Sequence, residues 1–193
     1  MIRLARTSDA NEIAEIYAPI VRGTAISFET EPPGQSEMEK RIASTLAHAP
    51  WLVWEDDAGV GGYVYASRHH ERAAYQWSVD VAVYIHETRR RTGAGRALYT
   101  ALFSLLRIQG FHAAHAGITL PNAASVGLHE ALGFRRVGMY PSVGFKLGAW
   151  HDVGWWQLRL CESIDDPPPP LSLAQAQALP AWQTALDAAH AVR

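Results

Sequence analysis

Between the apolar run Val81 to Ile85 and a stretch of helical periodicity lies Arg90-Arg91-Thr92-Gly93-Ala94-Gly95-Arg96, the strongest chemical signal in the chain. Two glycines let a backbone approach a ligand closely, and the free N–H groups of a helix's first turn point out of its N-terminal end. That arrangement suits a pyrophosphate. A helix end stabilises an anion by only about 0.3–1 kcal/mol when exposed and up to about 2 kcal/mol when partly buried, so several N–H hydrogen bonds must carry the binding. The arginines would add charge-assisted contacts. The same residues also read as a tight strand-to-helix connection. Spacing excludes two other phosphate loops: neither GxxxxGK[ST] nor a GxGxxG opening a strand-helix-strand unit occurs.

A second candidate is Asp80, an acid inside the apolar run VDVAVYI. Such a carboxylate is either satisfied by neighbouring N–H groups or kept for its proton affinity. Nine histidines raise the question of a metal, chiefly through His69-His70 and His112-x-x-His115. Strand neighbours project to opposite faces, so neither pair alone makes a chelate and no metal site is expected. Cys161, at the end of a strand pattern with no local base signature, is not expected to act as a nucleophile. The seven tryptophans read as core and interface anchors, because no basic groove accompanies them.

The elements that must position these residues follow an α+β pattern. After Ile2 to Leu4, Asp9 with Glu12 forms a capping-box-like pair ahead of Ile13, Ile16, Tyr17 and Ile20, and Ser36 with Glu39 repeats the signal for a helix over 36–48. WLVWE at 51–55 and VGGYVYASR at 60–68 read as an antiparallel hairpin, followed by a strand over 75–86. Leu98, Leu102, Leu105 and Leu106 give a buried helix from about 94 to 109, stopped by Gly110. HAAHAGITL reads as a strand, NAASVGLHEALG as a short helix, and FRRVGMY with DVGWWQLRL as two closing strands. Beyond Cys161 the proline-rich SIDDPPPP is a spacer, and the Ala/Leu-rich end after Ser172 has the pattern of one or two short helices.

With 193 residues, 48% hydrophobic and 19% charged, the chain has the make-up of one domain with a proper core. A formal charge of -2 supplies no field to gather nucleic acid or an anionic membrane. One cysteine excludes an internal disulfide, and the N-terminus has no apolar signal core, so a cytoplasmic protein is expected.

Taken in order, the R-x-x-G-x-G of Arg90 to Gly95 after VAVYI and before an amphipathic helix resembles the acetyl-CoA signature of the GCN5-related N-acetyltransferase superfamily. SFETEP at 27–32, AAYQWSVDVAVYI at 73–85, GITLPNAASVGLHEALGF at 117–134 and AWHDVGWW at 149–156 are similar to its phosphinothricin acetyltransferase branch. The resemblance covers about residues 1–160, giving an N-acetyltransferase domain over 1–161 and an extension over 162–193 that lies outside it.

The resemblance implies a mixed central sheet with flanking helices and a splayed-strand acetyl-CoA site. Pantetheine would run along Val83, Tyr84 and Ile85 like an added strand. The pyrophosphate would sit on Arg90, Arg91, Thr92, Gly93, Ala94, Gly95 and Arg96, with Asn122 touching the cofactor or capping its own helix. The branch's glutamate base corresponds to Asp80, one methylene shorter, and the histidine of HEALG to His129 in an assisting role. A backbone N–H of the Val83 strand would stabilise the oxyanion. Phe28, Arg72 and Tyr75 would recognise the substrate, the arginine fork and the tyrosine taking its acidic groups, while His70 stands where the branch has lysine. The implied partners are a small amino-acid-like amine and a second copy of the chain. Silent acetyl-CoA binding as a sensor, or acetylation of a protein N-terminus, are the alternatives.

Overall fold

The computed structural model describes residues 1–190; the last three residues of the expected extension lie outside the described residues. Seven strands form one sheet: β1 (Ile2–Leu4), β2 (Trp51–Asp56), β3 (Gly59–Arg68), β4 (Ser78–Ile85), β5 (Ala113–Leu120), β6 (Arg135–Lys146) and β7 (Ala149–Arg159), in the spatial order β1-β2-β3-β4-β5-β7-β6. All neighbours are antiparallel except β4 and β5, whose parallel pairing requires a crossover. That crossover is α3 (Ala94–Gln109), and α4 (Ala123–Ala131) follows β5. The sheet is thus mixed, as expected.

Alternation along the strands divides the core between the two faces. On one face Val64, Ala66, Val79, Val81 and Ala114 meet Leu98, Leu102, Leu105 and Leu106 of α3. Each fully buried leucine contributes about 1.5–3 kcal/mol. On the other face Trp51, Val53 and Tyr63 pack against Ile13 and Tyr17 of α1 (Ala10–Gly23) and Met38 and Ile42 of α2 (Gln35–Leu46).

Neither expected capping box forms. Asp9 does not cap α1; its carboxylate accepts the Arg6 N–H at 2.7 Å and two bonds from the Arg3 guanidinium at 2.7 and 3.0 Å. A nearby guanidinium outcompetes a neutral N–H for the same oxygens. Helix α2 starts after Gly34, with no side-chain cap. The strand expected over 75–86 begins at Ser78, because Ala73–Tyr75 turn as a single 3-10 turn.

The extension forms α5 (Leu173–Gln177) and α6 (Pro180–His190), and Leu173, Ala176 and Trp182 are buried in the α3 side of the core. The spacer is tied down as well: Trp77 Nε1 donates to the Pro168 carbonyl at 2.8 Å, and Gln109 Nε2 to those of His48 and Leu171, both at 2.9 Å. No helix among the described residues is long and apolar enough to cross a membrane.

Candidate active site

The pairing of β4 with β5 stops early. Ser78, Val79 and Asp80 lie opposite Ala113, Ala114 and His115, but β4 continues to Ile85 and β5 to Leu120 without further rungs between them. From Asp80 and His115 onward the strands splay. The gap is a narrow cavity of about 60 Å³, walled by Val81, Ala82, Val83 and Tyr84 on one side and Ala116 to Thr119 on the other. Alternate residues of an unpaired strand edge present N–H and C=O groups, which suits an extended chain carrying amides.

The glycine loop leads into α3 below this gap. Gly93 is the N-cap residue in the left-handed region, φ 89°, and a Cβ there would meet nothing within 4 Å. Glycine is needed for its backbone angle, and the space above it is open. Arg91 also has a positive φ of 62°, and the Thr92 hydroxyl donates to the Arg89 carbonyl at 2.8 Å, which folds the loop back on itself. No side chain caps α3, so its first-turn N–H groups face outward. Gly95 sits close under α4, where a Cβ would lie 3.4 Å from Leu128 Cδ2. Arg91, Thr92 and Arg96 are exposed, Ala94 is buried, and Arg90 Nε reaches the Ile85 carbonyl at 3.4 Å.

Asn122 caps α4, its Oδ1 accepting the Ser125 N–H at 3.1 Å, and it lines the gap. Capping therefore leaves Asn122 at the wall of the gap. His129, only 3% exposed, lines the gap from α4. Its Nδ1 lies 2.7 Å from the Ser125 carbonyl, which can only accept, so Nδ1 carries the proton. Its Nε2 then accepts from the Tyr99 hydroxyl at 2.9 Å. Burial pushes the His129 pKa down against the opposing pull of that carbonyl, and burial pushes the Tyr99 phenol up. Both groups are held neutral.

Asp80 is partly buried and is not satisfied by strand N–H groups. Its Oδ1 lies 2.7 Å from His69 Nδ1. Burial pushes the Asp80 carboxyl above its usual value, and the hydrogen bond with His69 pulls it part of the way back. The His69 ring stacks on His115, centroids 4.3 Å apart and planes 19° from parallel, and meets Trp155 and Tyr75 edge-on at 6.1 and 5.9 Å. Burial, then His69, pushes the His115 pKa down. One ligand atom from each of His69, Asp80 and His115 lies within 4.8 Å of the others, a grouping different from either histidine pair singled out in the sequence. Metals take imidazole lone pairs in the ring plane, and two face-to-face rings do not aim theirs at one ion. The arrangement suits proton transfer better than chelation.

The three expected substrate residues do not share one pocket. Arg72 and Tyr75 are exposed and line a cleft of about 740 Å³ with His70 and with Pro170, Leu171 and Ser172 of the extension; Asp80 and Phe28 are not among its walls. Among the described residues, Tyr75 connects to Asp80 through His69. Phe28 lies over Gly144 of β6, where a Cβ would be 2.2 Å from its ring. Its loop is fixed by Lys146, which donates to the Val21 and Ser27 carbonyls at 2.6 and 2.7 Å, and by the Tyr17 hydroxyl 2.7 Å from Ser27 Oγ. Neither Tyr99 nor the partnership of His69 with Asp80 is signalled by the sequence. For Tyr99 its helical register signals burial alone; for His69 no spacing rule joins it to a residue eleven positions away.

The family model described as the acetyltransferase (GNAT) domain matches residues 2–155. The phosphinothricin N-acetyltransferase of Streptomyces viridochromogenes is 38% identical over 156 residues, covering 81% of this chain and 85% of that protein. The L-methionine sulfoximine/L-methionine sulfone acetyltransferase of Salmonella typhimurium is 34% identical, covering 83% of this chain and 95% of that one. A crystal structure of a GNAT superfamily phosphinothricin acetyltransferase from Sinorhizobium meliloti in complex with acetyl-CoA superimposes with a TM-score of 0.82 at 31% identity, covering 90% of this chain and 97% of that chain.

Proposed function

Because the chain belongs to the GNAT acetyltransferase family and is an acetyl-CoA-dependent N-acetyltransferase, we propose that its acceptor is the amine of a small amino acid or analogue, of the class of phosphinothricin, methionine sulfoximine or a related L-amino acid. The observation that carries this reading is the splay of β4 from β5 at Asp80 and His115, beside the uncapped N-terminus of α3. The named activities of the Streptomyces viridochromogenes and Salmonella typhimurium relatives, on phosphinothricin and on methionine sulfoximine or sulfone, support this acceptor.

The residues present fit acetyl-CoA. The free edge of Val83 to Ile85 would hold the pantetheine amides, the open space over Gly93 with the surrounding loop the pyrophosphate, and Asn122 the wall between them. When bound, the cosubstrate supplies an acetyl thioester. This chain must supply the rest. An α-ammonium has a pKa of about 7.7–8.0, so near neutral pH the acceptor arrives mostly protonated and needs a base. We place that base at Asp80, with His129 and Tyr99 assisting from the opposite wall as a neutral hydrogen-bonded pair. Arg72 and Tyr75 are the groups offered to the acceptor's acidic end, and Phe28 closes the β6 side.

A homodimer and a cytoplasmic site of action belong to the same reading. Strand β6 ends the sheet and exposes Val137, Tyr140, Val143 and Phe145, with Trp150 65% exposed on β7. An apolar edge of this kind is suited to a second copy of itself. Sedimentation showing a concentration-independent monomer would remove the dimer.

The test of the activity is release of free CoA thiol from acetyl-CoA by the purified protein, against amino acids, methionine sulfoximine, phosphinothricin and short peptides. Release with an amino acid or its analogue is expected. Release with peptides alone would assign the protein N-terminus as acceptor, and binding without release would assign a sensor.

A further inference from the structure

The geometry points to His69 Nε2 as the atom that takes the acceptor's proton, with Asp80 as the positioning carboxylate that holds the His69 ring. This rests on the acetyl-transfer reading and changes which atom is the base.

His69 Nδ1 and Asp80 Oδ1 share a hydrogen bond of 2.7 Å. An ionised carboxylate can only accept, so its neutral imidazole partner carries the proton on Nδ1 and leaves the lone pair on Nε2. No hydrogen-bond partner of Nε2 is found among the described residues. Three further contacts fix the ring: the stack on His115, and the edges of Trp155 and Tyr75. The groups facing it from each element are therefore known. They are Asp80 from β4, His115 from β5, Trp155 from β7, and Tyr75 from the turn before β4.

Reach decides between the two candidates. Asp80 is one methylene shorter than a glutamate, and its Oδ1 is already occupied by His69. The imidazole extends from that carboxylate and touches Tyr75, the residue expected at the acceptor. His69 therefore joins the proton-accepting end of the site to its acceptor-binding end. His129, the other histidine of the site, has both nitrogens engaged and is buried, so it has no free lone pair to offer.

The step balances without a further reactant. The ammonium gives one proton to His69 Nε2, forming an imidazolium beside the Asp80 carboxylate. The neutral amine attacks the thioester carbonyl; the C–N bond forms and the C–S bond breaks. The nitrogen sheds its second proton, the departing thiolate gains one, and the imidazolium returns its proton to water.

The test compares wild type, His69→Ala and His69→Gln in the thiol-release assay, with thermal melting and acetyl-CoA calorimetry as checks of the fold. His69→Ala is expected to lose turnover about 10²–10⁴-fold, the usual span for a general base. Added imidazoles should restore part of it, more strongly as their basicity rises. His69→Gln, which still donates to Asp80 but cannot take a proton, should stay inactive. A readout independent of turnover is ¹⁵N NMR of the cofactor-free protein: His69 should appear as its Nδ1–H tautomer, and Asp80→Ala should abolish that preference. Activity of His69→Gln near wild type would reduce His69 to a structural donor and overturn the assignment. So would loss of wild-type activity on chelation with recovery by zinc. An active wild type with an active His69→Ala refutes His69 alone, whereas a wild type that releases no thiol with any amine removes the acetyl-transfer reading and this step with it.

Discussion

Asp80 and His115 form the last rung between β4 and β5. Beyond it both strands keep their direction but lose each other, so the carboxylate stands where the paired sheet ends and the gap begins. A side chain at that position shares the dry strand environment on one side and the open gap on the other. That is why its proton affinity is raised by burial and restrained by His69.

Asp80→Asn should lower turnover about 10²–10⁴-fold while leaving acetyl-CoA affinity unchanged, whether the carboxylate takes the proton itself or holds the group that does. Stability should move the other way. A carboxyl whose pKa is higher folded than unfolded favours the fold at low pH and loses that contribution as pH rises through the folded value. Above the ordinary carboxylate range Asn should therefore be neutral or stabilising relative to Asp. Urea titrations at pH 4 and pH 7 would check the sign, and a variant less stable at pH 7 than wild type would contradict it.

Gly93→Val should weaken acetyl-CoA binding. The added Cβ meets no protein atom, so the loss would not come from crowding inside the fold. It would come from forcing a β-branched residue to φ 89°, a strain of about 1–3 kcal/mol, and from filling the space where the ligand's phosphates approach. Calorimetry giving undiminished affinity would remove the loop from the binding site.

Much of this was legible in the sequence because periodicity reports burial directly. The leucines of α3 and the glycine loop ahead of it lie where spacing placed them, since helix-period burial and a positive φ leave local marks. Capping was less legible. Asp9 has the right spacing for α1, yet Arg3 and Arg6 claim its oxygens, and a partner in another element has no signature in a short window. The same limit hid the His69 bond to Asp80. Two histidine pairs invited comparison by adjacency, while the sheet brought together one member of each, through registers that only the folded strands define.

Trp182→Ala should destabilise the protein by about 3–5 kcal/mol, as for other large-to-small core changes. Trp182 is 3% exposed in the α3 side of the core, so the extension is part of the packed body. At roughly 2–4 °C per kcal/mol for a chain of this size, the melting temperature should fall by about 6–20 °C. A shift under about 2 °C would mean that α6 does not share the cooperative unit. Because Pro170 to Ser172 also wall the cleft of Arg72 and Tyr75, acceptor KM should rise in the same variant.

Acid should unfold the chain partly through Arg3. Its guanidinium binds Asp9 at 2.7 and 3.0 Å and Glu55 at 2.6 and 2.9 Å, joining β1, β2 and the turn before α1. Burial pushes Asp9 up, but hydrogen bonds from Arg3 and the Arg6 N–H outweigh it and hold the carboxyl below its usual value; Glu55 is lowered chiefly by Arg3. Depressed folded values stabilise the protein above the unfolded values, about 3.9–4.3, and that contribution is lost as pH falls through the folded ones. Arg3→Met should cost about 1.5–3 kcal/mol at pH 7, the range for hydrogen bonds to charged groups. The difference from wild type should begin to shrink as pH falls below the unfolded values and be lost only below the lower folded ones, where both acids are protonated in the fold as well. Parallel stability curves across that range would show that the three charges, though in contact, contribute nothing to the fold's response to acid.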